Sequence, residues 1–363
     1  MPLYASLPFR LGVPPESLIL LNLALVAVSA LLAARFIRAF WPSPGMAAGL
    51  LRYAIAFLPH VLFLWATCFN SLSDAPAAAL LLSGVWLTCI TIAERRGPAV
   101  AALSGFLIGL SAFLRLSYLY PALIAGATFL VVAAYRRSVP AVRIAAFAAA
   151  LIAPLCLQVG RTYAHTRSWT YIDAGANALL KSTHLDSALY GYDTIVPRWA
   201  GPLPERQRLN PDFVFLQGGL AAGYEARSCF SEVTGLVPAL QHGDFAGALC
   251  LVAKRQSFYF CSYAMLGRVY LPSPGARHWS RWLFALNSLL FGLTLYWLLV
   301  NADRTVGVFA LALLSSIWLV ATVSVPEQRF FAVVSIFMWI VGLAFLCFRL
   351  LTLWQRRTVD QAL

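Results

Sequence analysis

The sequence predicts an all-α, polytopic membrane protein. Of its 363 residues, 61% are hydrophobic and only 11% are charged, against about 25% charged in ordinary soluble domains. Apolar runs of bilayer length, roughly 20 residues each, recur along the chain. Most of the arginines fall between these runs or at their ends, as the positive-inside rule expects. The mean hydropathy is +0.76.

About nine spanning helices are expected at that length. The first covers Ser17 to Phe36 and the second Gly49 to Phe69. A turn ending in Asp74-Ala-Pro76 opens the third, Asp74 to Ala93. Ser73 suits its N-cap, and Pro76 suits the first turn, where a missing N–H costs nothing. The fourth and fifth are the stretch Gly105 to Pro121 and its continuation to about Tyr135, and the sixth covers Val142 to Gly160. A long polar segment, Arg161 to Ser280, follows. It is turn-rich and aromatic around Asp173 to Asn177 and Tyr190 to Asp193, and is expected to form short surface helices and loops. The last three spans are Arg281 to Val300, Thr305 to Val323 and Phe330 to Trp354. The chain thus divides into a bundle over 1–160, an outer segment over 161–280 and a second bundle over 281–363.

Arginine placement sets the expected orientation. Arg35 and Arg38, Arg95 and Arg96, Arg136, Arg137 and Arg143, Arg304, and Arg356 and Arg357 occupy alternate loops. Those loops and the C-terminus are therefore expected in the cytoplasm. The opposite short loops carry only Asp74, Arg115, Glu327 and Arg329. The long segment and the N-terminus share that outer face. A formal charge of +13 suits nucleic acid in principle, but this distribution points to membrane topology instead. No charged n-region followed by an apolar core marks a signal peptide at the start. Cys68, Cys89, Cys156 and Cys347 lie in or beside apolar runs and read as small core residues. Cys229, Cys250 and Cys261 fall in the polar segment, where two of them have the option of pairing in an oxidising compartment.

The stretch Gly105 to Pro121 organises the rest. Gly105, Gly109 and Ala112 share one helix face and let a neighbour approach closely. Arg115 ends the run, with Tyr118 and Tyr120 behind it. An ionisable side chain there is either a functional group or an arginine snorkelling to the headgroups. Taken together, the outer-face residues suit chemistry on a lipid-linked phosphate. A carboxylate accepts a proton from a hydroxyl nucleophile, and arginine neutralises phosphate through paired hydrogen bonds. The plainer alternatives are a structural pair between Glu327 and Arg329, and an acid at Asp74 favoured by the helix dipole. His60, after Pro59 in an apolar run, reads first as a packed, hydrogen-bonded residue. His165, His184, His242 and His278 have no metal-ligand spacing. No glycine-rich phosphate loop or nucleophile elbow is present, which fits a lipid-borne donor.

Several of these stretches resemble the polytopic glycosyltransferases of the GT-C fold, in particular the bacterial relatives of dolichyl-phosphate-mannose protein mannosyltransferases. The stretches are Met1 to Gly12, Leu72-Ser-Asp-Ala-Pro76, Gly105 to Pro121, Val325-Pro-Glu-Gln-Arg-Phe330, Arg161-Thr-Tyr and Gly175-Ala-Asn177. Their order covers nearly the whole chain. The resemblance implies a bacterial inner-membrane enzyme that moves a sugar, with inversion, from a polyprenyl-phosphate donor to an acceptor hydroxyl. Arg115 and Arg329 would then hold the lipid phosphate. Tyr118, Tyr120, Arg161, Asn177 and Glu327 would line the substrate site. No nucleotide or nucleic acid is expected, and a divalent cation is left open. In the family the catalytic acid lies in a first outer loop after a first helix, and this sequence begins beyond both. The chain is therefore expected to be internal to a longer protein or a truncated member, with Asp74 as a second-rank acid. Two other classes stay open: a lipid or glycan flippase, and a non-catalytic assembly partner.

Overall fold

The computed structural model describes residues 12–14, 16–42, 45–68, 74–94, 96–115, 118–136, 139–167, 169, 243, 245–246, 249, 260, 274–323 and 328–360. The long helices are α1 (Ser17–Phe40), α2 (Met46–Cys68), α3 (Asp74–Ala93), α4 (Pro98–Leu114), α5 (Leu119–Arg136), α6 (Ala141–Thr166), α7 (Pro274–Tyr296), α8 (Arg304–Val323) and α9 (Gln328–Asp360). No strand occurs among the described residues. Among the described residues, six helices contain a stretch long and apolar enough to cross a membrane: α1, α2, α3, α6, α7 and α9. The apolar parts of α4, α5 and α8 are shorter. The chain is an all-α, multi-pass membrane protein.

Local chemistry explains the helix ends. Pro98 follows extended Gly97 and opens α4, where its missing N–H is harmless. Pro140 precedes α6 in the same role. Asp303 caps α8 by accepting a hydrogen bond from the Thr305 N–H at 2.8 Å. α7 ends in a π-helical turn, Trp297–Asn301. Pro59 and Pro154 sit inside α2 and α6, as membrane helices tolerate. α6 continues six residues past Gly160, so Arg161 stands on a helix rather than in a loop. The expected N-cap Ser73 and the expected surface helices of the long segment lie outside the described residues.

The chain divides into two compact units. The first comprises 1–171, 289–317 and 332–363. Its centre is α3, buried along nearly its whole length, and α9, buried continuously over 332–342. Trp86 of α3 stacks on Phe337 of α9 at 4.9 Å and 4°. Phe63 meets Trp339, and Trp41 meets Phe348. Glycines set the closest approaches. A Cβ on Gly84 would lie 2.9 Å from the Ser104 carbonyl oxygen, which brings α3 against α4. Cβ atoms on Gly105 and Gly109 would collide with the Phe147 and Leu151 carbonyls, so α4 lies directly on the backbone of α6. The small-residue face expected from Gly105, Gly109 and Ala112 is this contact. Gly307 and Gly342 admit the Leu298 and Leu290 carbonyls in the same way.

The second unit comprises 172–288 and 318–331. Among its described residues, buried Phe260 packs within 6.2 Å of the Phe284, Trp318 and Phe331 rings. Asn287 donates to the Phe260 carbonyl at 2.8 Å.

The apolar-run cysteines differ in placement. Cys68 and Cys89 are buried as expected, Cys347 is half-buried, and Cys156 faces outward from α6. Cys229, Cys250 and Cys261 lie outside the described residues.

Candidate functional site

The break between α4 and α5 places Arg115. Its backbone is extended, and its N–H donates to the Ser111 carbonyl at 3.0 Å, which closes α4. The Tyr118 N–H then donates to the Arg115 carbonyl at 3.1 Å and starts the next turn. Pro121 falls in the first turn of α5, where it breaks no hydrogen bond. Arg115 is half-buried, Tyr118 is only 1% exposed, and Tyr120 is 55% exposed. Tyr118 therefore fixes the turn from within, while Tyr120 faces outward.

Helix register brings two more expected residues to this end. The short connection from Ala93 to Pro98 makes α3 and α4 antiparallel, and Gly84 lies against Ser104 and Ile108. Asp74 lies about 15 Å before Gly84, and Arg115 about 11 Å beyond Ile108, at 1.5 Å per residue. The start of α3 and the end of α4 therefore reach nearly the same level. Gly105 meets Phe147 and Gly109 meets Leu151, so α4 and α6 run parallel. Arg115 then comes level with Leu157, and half-buried Arg161 stands one turn further on. Asp74, Arg115 and Arg161 thus belong to one end of the first unit. Arg329 begins α9 in the second unit. Glu327 and Asn177 lie outside the described residues.

The opposite end carries a cluster that composition alone assigns only to topology. Arg35 and Arg38 from the end of α1, Arg52 and Tyr53 from the start of α2, and Glu94 and Arg96 after α3 line a cavity of about 830 Å³. Arg35 pairs with the Glu94 carboxylate at 3.1 Å, and Arg96 Nε donates to it at 2.8 Å. Arg52 donates to the Trp41 carbonyl at 2.9 Å. Partial burial by itself raises the Glu94 pKa. The hydrogen bonds and charges of Arg96 and Arg35 outweigh it and hold the carboxyl below the usual glutamate range. Arg52 is the member that loop charge counting misses, because it lies inside the apolar run of α2.

His60 is a packed residue, as expected. It is fully buried, with Nδ1 at 2.7 Å from the Ala56 carbonyl and Nε2 at 2.8 Å from Ser29 Oγ. A carbonyl only accepts, so Nδ1 carries the proton and the Ser29 hydroxyl donates to Nε2 of the neutral ring. Beside it, buried Asn22 donates to the Cys68 carbonyl at 3.0 Å. Both bonds tie α1 to α2. Among the described residues no group of three or more His, Cys, Asp or Glu side chains is placed to hold a metal ion.

Fold and polar placement together define a multi-pass helical membrane protein whose first unit has two chemically different ends. Comparison with protein families, with curated proteins and with solved structures gives no match.

Proposed function

We propose that this chain is a membrane glycosyltransferase, working at the outer face of a bacterial inner membrane on a polyprenyl-phosphate-linked sugar. In this reading α4, α5 and α8 also cross the bilayer, which makes nine spans in a GT-C-like arrangement with a cytoplasmic C-terminus. The observation that carries it is Arg115 at the α4–α5 break: a half-buried residue at the same end as Asp74 and Arg161, away from the arginine-lined cavity. A membrane-embedded arginine held at a helix break by close packing is suited to a phosphate.

The reaction follows from those groups. An acceptor hydroxyl attacks the anomeric carbon from the face opposite the phosphate. A new C–O bond forms, the bond to the phosphate oxygen breaks, and polyprenyl phosphate leaves with the electron pair. Asp74 takes the hydroxyl proton. Arg115 stabilises the negative charge on the departing phosphate, where fixed cationic donors act most strongly, and the same role is proposed for Arg329. Tyr118 positions the turn that carries Arg115. Tyr120, Arg161, Asn177 and Glu327 contact sugar or acceptor.

Transfer assays in vesicles carrying wild type, Arg115→Ala, Arg329→Ala and Asp74→Asn test this directly. Each substitution is expected to lower transfer roughly a hundredfold or more, with expression unchanged. Full activity in both arginine variants removes the phosphate role.

A further inference from the structure

We propose that the cavity at the arginine-rich end of the first unit is a binding site for the headgroup of an anionic phospholipid, one that goes beyond sugar transfer and sits at the other end of the bundle. Among the described residues, four arginines, Arg35, Arg38, Arg52 and Arg96, line the cavity with a single carboxylate, Glu94. The cluster therefore keeps a cationic excess after its own ion pairs are made. Among the described residues Arg38 has no ion pair. Arg52 is held in place by its bond to the Trp41 carbonyl, so the cluster is partly organised before a ligand arrives.

The lining decides between a lipid and a soluble anion. Leu31 and Leu32 line the cavity from α1, one turn deeper into the apolar span than Arg35 and about two turns deeper than Arg38. The wall thus changes from hydrocarbon to guanidinium along the direction in which a phospholipid changes from acyl chain to phosphate. Exposed Leu31 and Leu50 extend the apolar surface beside it. A volume of about 830 Å³ falls in the range of small-molecule sites. Basic pockets between membrane helices hold lipid headgroups by this combination of charge and depth. Guanidinium geometry favours phosphate oxygens, which accept two parallel hydrogen bonds.

Glu94 acts as the built-in competitor. It engages Arg35 and Arg96, the two groups that otherwise turn to a phosphate. Its removal frees them.

The test uses the purified full chain in neutral detergent, titrated with phosphatidylglycerol, phosphatidylcholine or inorganic phosphate. Unfolding temperature and retained lipid by native mass spectrometry are the readouts. Phosphatidylglycerol is expected to raise the unfolding temperature saturably and to stay bound, while the other two do neither. Arg38→Gln is expected to weaken phosphatidylglycerol binding about five- to tenfold. Glu94→Gln is expected to strengthen it, a gain that misfolding does not produce. Equal responses to phosphatidylglycerol and phosphatidylcholine overturn the proposal. So does an equal response to inorganic phosphate, which makes the site one for a free anion, and so does unchanged or weaker binding in Glu94→Gln.

Discussion

Replacing Gly105 with alanine tests the contact on which the placement of Arg115 rests. The new Cβ would lie 3.1 Å from the Phe147 carbonyl carbon and 3.2 Å from its Cα, and closer still to the carbonyl oxygen. Ordinary carbon contacts are about 3.5–4.0 Å, and the colliding atoms belong to the α6 backbone, which has no rotamer to change. The two helices must separate by about 1 Å, which forfeits a quarter to a half of each dispersion contact along the seam. Overpacking of this kind costs about 1–3 kcal/mol. Alanine returns at most about 1 kcal/mol through helix propensity. The net expectation is a loss of about 1–2 kcal/mol. Gly109→Ala, against Leu151, is relieved by the same separation, so the double variant loses less than the sum of the two. Gly160, on α6 itself, has nothing within 4 Å of a would-be Cβ. Gly160→Ala is expected to stabilise by about 0.5–1 kcal/mol. Denaturant unfolding of wild type and the four variants in one detergent reads all these signs. If Gly105→Ala is as stable as Gly160→Ala, the backbone-on-backbone contact between α4 and α6 is wrong.

Two further outcomes follow from the polar contacts. Ser29→Ala leaves Nε2 of buried His60 without its donor and is expected to cost about 1–2 kcal/mol; Ser29→Ala combined with His60→Leu should cost less than the separate losses summed, in a double-mutant unfolding cycle. The depressed Glu94 pKa means that its ion pairs stabilise the fold fully above the ordinary glutamate value, and that this contribution fades as pH falls through the depressed one. The stability difference between wild type and Glu94→Gln should therefore persist at neutral pH and shrink in acid, below the ordinary glutamate range. With the Glu94 side chain 28% exposed, solvent keeps the difference small and salt reduces it further.

Much of the architecture was legible because the bilayer restricts what apolar runs can do. Some helix positions follow from run length, and α3 begins and ends at the expected residues, Asp74 and Ala93. α4 does not: it spans Pro98–Leu114 and breaks at Arg115 rather than covering Gly105 to Pro121, because Pro98 opens it and the chain turns before Pro121. The Gly105 face was legible because small residues one helical turn apart have few other uses in a membrane helix. The C-terminal extent of α6 was not. Gly160 and Arg161 read as a boundary, yet Arg161 to Thr166 continue the helix because Gly160 faces open space and nothing interrupts the hydrogen-bond ladder. α9 likewise continues past Trp354 to Asp360 through polar helix formers. The π-helical turn at Trp297 left no pattern in the sequence. The arginine cavity was legible only as loop charge, since which loops meet depends on how α1, α2 and α3 pack. Arg115 was visible as an anomaly; its level relative to Asp74 and Arg161 needed the glycine contacts that set the helix registers.

We propose sugar transfer directed by Arg115. Its most direct measurement supplies a polyprenyl-phosphate sugar and a hydroxyl acceptor to vesicles containing the chain, and follows both products. The expected result is one glycosidic bond of inverted anomeric configuration for each polyprenyl phosphate released, lost in Arg115→Ala. Lipid crossing the membrane with no covalent product, or transfer indifferent to Arg115, contradicts it.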